Sequence, residues 1–179
     1  MSIEQLAKQS LNHMHGSLAS VDTALLRQMR DNSLRDCFRR MDETAHRMEH
    51  VATIHGKEYI DDSAARSVNA TLYTMQRTAG PLVWIAIGDT NGADYAPLKP
   101  MALRKVCLLI CIGQHTQALH QAFEGILPAV VDAQDVPSAV ELAARYPTDN
   151  ARIVLSPATP AGGTAEQTAH QFIRQVNEI

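Results

Sequence analysis

Apolar residues recur along the chain with two different periods, and the change between them divides it. Leu18, Val21, Leu25 and Met29 share one face at helical spacing. Asp31-Asn32-Ser33 interrupts, and Leu34, Cys37, Phe38 and Met41 begin a second stripe, so two helices joined by a short cap are predicted. From Val51 the pattern shortens. Val51–Ile54 and Glu58–Ile60, separated by His55-Gly56-Lys57, predict a β-hairpin. A helix through Val68, Leu72 and Met75 follows and stops at Gly80-Pro81. Leu82–Ile87 is then a continuous apolar run suited to a strand buried on both faces. After a Gly/Asp loop (Gly88–Asp94) and a short helix near Pro97–Leu103 comes a second such run, Val106–Ile112. A helix through Ala118, Leu119, Ala122 and Phe123, a short strand at Ala129–Val131, a helix capped by Asp135 and a strand at Arg152–Leu155 complete the alternation. Thr164 with Gln167 three residues on forms a capping box for a last helix.

Strands alternating with helices imply an α/β fold. The expectation is a Rossmann-like, mostly parallel sheet flanked by helices, with the hairpin at one side and an N-terminal helical extension. Residues 1–44 are expected to form the helical segment and 45–179 the α/β domain. Leu82–Ile87 and Val106–Ile112 should be neighbouring central strands. Cys107 and Cys111, at i and i+4, should share one strand face as small buried hydrophobes.

Composition narrows the function classes. Of 179 residues 45% are hydrophobic and 4% aromatic, so aliphatic side chains must fill the core. A net charge of -3, without a Lys/Arg surplus, argues against nucleic acid. No apolar run approaches the ~20 residues of a membrane helix, and no apolar stretch follows Met1, which places the expected location in the cytoplasm.

Several segments in order resemble one family. Ala45-His46-Arg47-Met48-Glu49 is similar to E-H-R-L-E, and the segment from Tyr59 to Thr71 is similar to Y-I-N-D-S-K-A-T-N-V-x-A-T. Gly88–Tyr95 resembles G-x-D-K-G-x-D-Y, Lys105–Gly113 resembles K-V-K-A-I-I-C-L-G, and Ser156-Pro157-Ala158 resembles the start of S-P-A-x-A-S-F-D. These belong to the C-terminal domain of the Mur ligases, in the type that adds D-glutamate to UDP-N-acetylmuramoylalanine. Residues 10–32 more faintly resemble the helix closing that family's central domain, with its H-N pair inverted to Asn12-His13. No G-x-x-x-x-G-K-[ST] or G-T-x-G-K-T loop occurs in the chain, so ATP hydrolysis in the family's manner is not expected of it.

The departures fall where the resemblance places D-glutamate. Two carboxylates in a cleft need cations and hydroxyls. The positions of the family's two lysines, threonine and serine are here Ala64, Asn91, Arg66 and Ala161. Loss of one buried charge partner typically costs about 2–5 kcal/mol of binding, so D-glutamate should not bind productively. On the nucleotide side, the resemblance makes Arg47 a phosphate contact and Asp62 a ribose contact. Elementary alternatives are that Arg47 pairs with Glu49 or Asp62, and that Asp62-Ser63 caps the following helix. No cofactor is expected beyond that ATP half-site.

The expectation is therefore a non-catalytic relative, linked to peptidoglycan precursor metabolism by its family, that binds a small anionic ligand or a protein partner. The inherited cleft would comprise Arg47, Asp62, Ser63, Arg66, Asp89, Asn91 and Ser156. The alternative is the acceptor-domain subunit of a split ligase. No metal is expected: His46-x-x-Glu49-His50 inverts a zinc motif that needs a helix, His13-x-His15 is isolated, and Asp89–Asp94 lacks the glutamate that completes a calcium loop. The stripe Leu18, Val21, Leu25 and Met29 needs cover from the chain's own sheet or from a second copy, as in a homodimer.

Overall fold

The computed structural model describes residues 44–89 and 92–179, all within the compact unit Thr44–Ile179. The expected helical stripes between Leu18 and Met41 lie outside the described residues, and so does Asn91.

The hairpin forms from β1 (Glu49–Ile54) and β2 (Lys57–Asp61). Its two-residue turn places His55 at φ 49° and Gly56 at φ 77°, the left-handed pair that matches strand twist across a tight hairpin. The alternation follows: α1 (Val68–Arg77), β3 (Leu82–Ile87), a 3-10 turn (Ala96–Leu98), α2 (Lys99–Lys105), β4 (Val106–Ile112), α3 (Gln117–Phe123), β5 (Val130–Ala133), α4 (Val136–Arg145), β6 (Arg152–Leu155) and α5 (Ala165–Asn177). The sheet runs β1-β2-β6-β3-β4-β5, antiparallel at β1–β2 and parallel at every other pairing. The fold is the expected Rossmann-like α/β, with β3 and β4 adjacent and β3 hydrogen-bonded on both edges.

All six residues of β3 are buried, as an apolar run requires between two helical layers. Val83, Ile85, Leu108 and Ile110 face α4 and α5, where Val140, Phe172 and Val176 close the core. Trp84, Ala86, Leu109 and Cys111 face the other layer, with Met75 of α1, Ala102 of α2 and Leu119 and Phe123 of α3.

One expectation is corrected here. Cys107 and Cys111 face opposite layers, because Leu82 pairs with Val106 while Val83 pairs with Leu108. That irregularity inserts Cys107 as an extra residue, and one extra residue reverses side-chain alternation beyond it.

Helix ends show how local chemistry holds the layers. Thr164 and Gln167 form the predicted box at α5, and Asp135 caps α4 in a box closed by Ser138. Two lysines cap carbonyl ends across the structure. Lys57 Nζ donates to Ala144 O and Tyr146 O at 2.7 Å each, at the end of α4. Lys105 Nζ donates to Met75 O at 2.7 Å and Thr78 O at 2.6 Å, at the end of α1. Both place a cation where unpaired carbonyls concentrate negative potential. Ser67 caps α1 by accepting from Ala70 N, so Asp62 and Ser63 do not serve as that cap.

Candidate functional site

β2 and β6 run parallel and stop together, which places Asp62 and Ser156 side by side just beyond their carboxyl ends. Asp62 N donates to Leu155 O at 2.9 Å and fixes the approach. Asp62 Oδ2 accepts from Thr74 Oγ1 of α1 at 2.6 Å and from Ser156 Oγ at 2.8 Å. Thr71 Oγ1 lies 2.8 Å from Ser156 Oγ, whose hydrogen is used on Asp62. Asp62 Oδ1 accepts from Met48 N at 3.3 Å and lies 2.6 Å from Arg47 Nη1. The ion pair is sealed: the Arg47 side chain is 4% exposed and that of Asp62 0%. Burial pushes the Asp62 carboxyl up to about 6, and Arg47, Thr74, Ser156 and Met48 each pull it back down.

Arg47 is not fully used by this pair. None of its guanidinium nitrogens has an acceptor in hydrogen-bond geometry among the described residues, although the charges are close. Ser63 Oγ is likewise buried without a partner, while Ser63 N donates to Asp61 Oδ1 at 3.0 Å. Beside them His46 Nδ1 lies 3.0 Å from Asp61 Oδ2 and 3.7 Å from Glu49 Oε2.

The other inherited positions stand apart. Arg66 Nη2 donates to Pro160 O, tying the start of α1 to the loop after β6. Asp89 follows β3 and is partly exposed. The structure thus brings together Arg47, Asp62, Ser63 and Ser156, and engages Arg66 instead with the loop after β6.

A separate open cleft of about 320 Å³ lies past the carboxyl ends of β3 and β4. Ile87, Gly88, Gly113, Gln114, His115, Gln134, Asp135, Ala161 and Gln171 are among its walls. A Cβ at Gly88 would sit 2.5 Å from His115 O, so only glycine admits this close approach of two strand ends. The lining contains no lysine or arginine, and amide side chains supply much of its polarity. Of these walls, Gly88 lay in the predicted glycine turn and Ala161 among the substituted positions. The glutamines carried no sequence signal, although the ends of parallel strands are where ligands usually sit.

Comparison with known proteins gives these features a lineage. No family model matches the chain. It is 30% identical over 158 residues to a UDP-N-acetylmuramoylalanine–D-glutamate ligase of Porphyromonas gingivalis, covering 88% of this chain and 35% of that enzyme. The corresponding ligase of Chlorobaculum tepidum is 30% identical over 185 residues, covering 100% of this chain and 40% of that enzyme. The chain thus spans well under half the length of the curated relatives it matches. In structure it resembles a bifunctional folylpolyglutamate synthase/dihydrofolate synthase of Yersinia pestis, with a TM-score of 0.50, 16% identity and coverage of 76% of this chain and 32% of that one. That likeness supports the fold alone.

Proposed function

We propose that this Mur ligase-like domain, homologous to part of the D-glutamate-adding ligases, acts by binding and does not itself ligate D-glutamate. The observation that carries the reading is the replacement of all four expected substrate contacts, at Ala64, Arg66, Asn91 and Ala161, beside a polar network that closes on itself. Asp62 and Ser156 spend their hydrogen bonds on each other and on Thr71 and Thr74. Those four side chains are satisfied among themselves, which stiffens the domain, whereas Arg47 and the Ser63 hydroxyl beside them keep buried donors with no partner among the described residues. Ala161 leaves the cleft wall without the hydroxyl that a second carboxylate needs. On the α1 side of this end of the sheet an anion would meet Arg66, one of whose guanidinium nitrogens already donates to the Pro160 carbonyl.

The test is calorimetry with D-glutamate, ATP and inorganic phosphate on the wild type, Arg66→Ala, and a restored variant carrying Ala64→Lys, Arg66→Thr, Asn91→Lys and Ala161→Ser. D-glutamate should give heat with the restored variant alone. D-glutamate binding by the wild type would overturn the reading. Phosphate heat that disappears in Arg66→Ala would identify the ligand class as anionic.

Arg47 favours one second reading, because its unused donors suit a nucleotide phosphate. In that case the domain is the acceptor half of a split ligase. Turnover of ATP, D-glutamate and UDP-N-acetylmuramoyl-L-alanine, on mixing with a D-glutamate ligase deleted for its own C-terminal domain, would establish it.

A further inference from the structure

A second cluster lies on the same sheet face as Asp62, towards the opposite edge. Cys111 of β4 and Asp132 of β5 are cross-strand partners in a parallel register, so their side chains emerge together. His120 belongs to α3, whose Leu119 and Phe123 pack on this face. Its Nε2 lies 2.9 Å from Asp132 Oδ1, and its Nδ1 lies 3.5 Å from Glu124 Oε2 one turn on. One donor atom from each of Cys111, His120 and Asp132 lies within 4.8 Å of the other two.

We propose that Cys111, His120 and Asp132 bind one zinc-class divalent ion, with Glu124 or water in the fourth position. The donor set is one thiol sulfur, one imidazole nitrogen and one carboxylate oxygen, a combination that suits zinc and is poor for calcium or magnesium, which prefer oxygen throughout. Access is graded as an open site requires: Cys111 is fully buried at the floor, while the side chains of His120 and Asp132 are 24% and 58% exposed. Coordination releases the Cys111 proton to solvent, together with the proton on the ligating nitrogen of His120 where that ring is charged. The thiolate and the Asp132 carboxylate then balance the two positive charges of the ion.

An independent feature points to the same spot. The Tyr95 hydroxyl is buried and has no hydrogen-bond partner among the described residues. Burial, then the negative charges of Asp89 and of Cys111, hold its pKa above the ordinary value, so both groups lie near it. A buried donor with no acceptor costs about 1–3 kcal/mol. A metal-bound thiolate or water would accept its hydrogen bond, as outer-shell groups do at metal sites.

The experiment titrates the full chain with Zn²⁺ against a chromophoric chelator, and separately with Co²⁺. One tight equivalent is expected, with a thiolate-to-cobalt charge-transfer band. The band should vanish in Cys111→Ser and persist in Cys107→Ser. His120→Gln and Asp132→Asn, on the exposed rim, should keep the fold and weaken Zn²⁺ by at least about tenfold, the size reached even by outer-shell changes. Tyr95→Phe should weaken it by about tenfold. Absence of binding, a band that survives Cys111→Ser, or affinity unchanged in both rim variants would overturn the proposal. If Cys111→Ser does not fold, the rim variants decide.

Discussion

The Asp62 network and the Cys111 cluster make a useful pair, because their settings are alike and their polar bookkeeping is not. Both lie near the carboxyl ends of parallel strands, on the sheet face covered by α1, α2 and α3. At Asp62 both oxygens accept from neighbours, and Thr71, Thr74 and Ser156 satisfy one another under full burial. At Cys111 the thiol is buried beneath an exposed acid, and a neighbouring hydroxyl has no acceptor among the described residues. Residue types alone would rank the first as the site and the second as core. Hydrogen-bond saturation qualifies that order: Asp62, Ser156, Thr71 and Thr74 are occupied by one another, and what the first site still offers among the described residues is the donors of Arg47 and the Ser63 hydroxyl.

Arg47→Ala is the strongest way to break the contrast. It leaves Asp62 without its cation in a site of 0% exposure, where the carboxyl must stay charged or take up a proton, and loss of one partner from a buried pair typically costs about 3–5 kcal/mol. Arg47→Met combined with Asp62→Leu should recover much of that loss in denaturant unfolding. A cost in Arg47→Ala no greater than that of an exposed pair would mean the network is open to water.

The pH dependence sharpens the same point. Asp62 in the folded protein titrates near 6, above its ordinary 3.8. The folded state therefore holds the proton more tightly than the unfolded state does. Its contribution is most favourable below 3.8 and declines as pH rises from 3.8 to about 6, on the order of 1–3 kcal/mol over that window. Asp62→Asn should remove this decline, measured as the difference between the unfolding free energies of variant and wild type. A wild type that gains stability over this window relative to the variant would show that Arg47 outweighs burial.

The smallest expected effect lies away from both clusters. Lys57→Met removes the cation from the carbonyl end of α4 and should cost about 1–2 kcal/mol. It should leave Zn²⁺ affinity unchanged, whereas any change there would tie the metal cluster to the packing of α4.

The amino-acid sequence by itself determined the elements and their class. Apolar runs at Leu82–Ile87 and Val106–Ile112 and the Thr164–Gln167 box are local signals, read within a few residues, and the structure follows them. The hairpin forms too, but of the expected separator His55-Gly56-Lys57 only His55 and Gly56 make the turn, since Lys57 pairs with Ile54 at the start of β2. The short strand expected at Ala129–Val131 runs instead from Val130 to Ala133, where pairing with β4 defines its ends. Tertiary structure alone decided the rest. β6, last in the chain, inserts between β2 and β3, and only that insertion brings Ser156 to Asp62. The bulge at Cys107 reverses the alternation and turns Cys111 towards α3, where it meets His120 and Asp132. Periodicity is a property of neighbours along the chain. Strand order, register and the convergence of side chains from separate elements arise from contacts between distant segments, which no local spacing encodes.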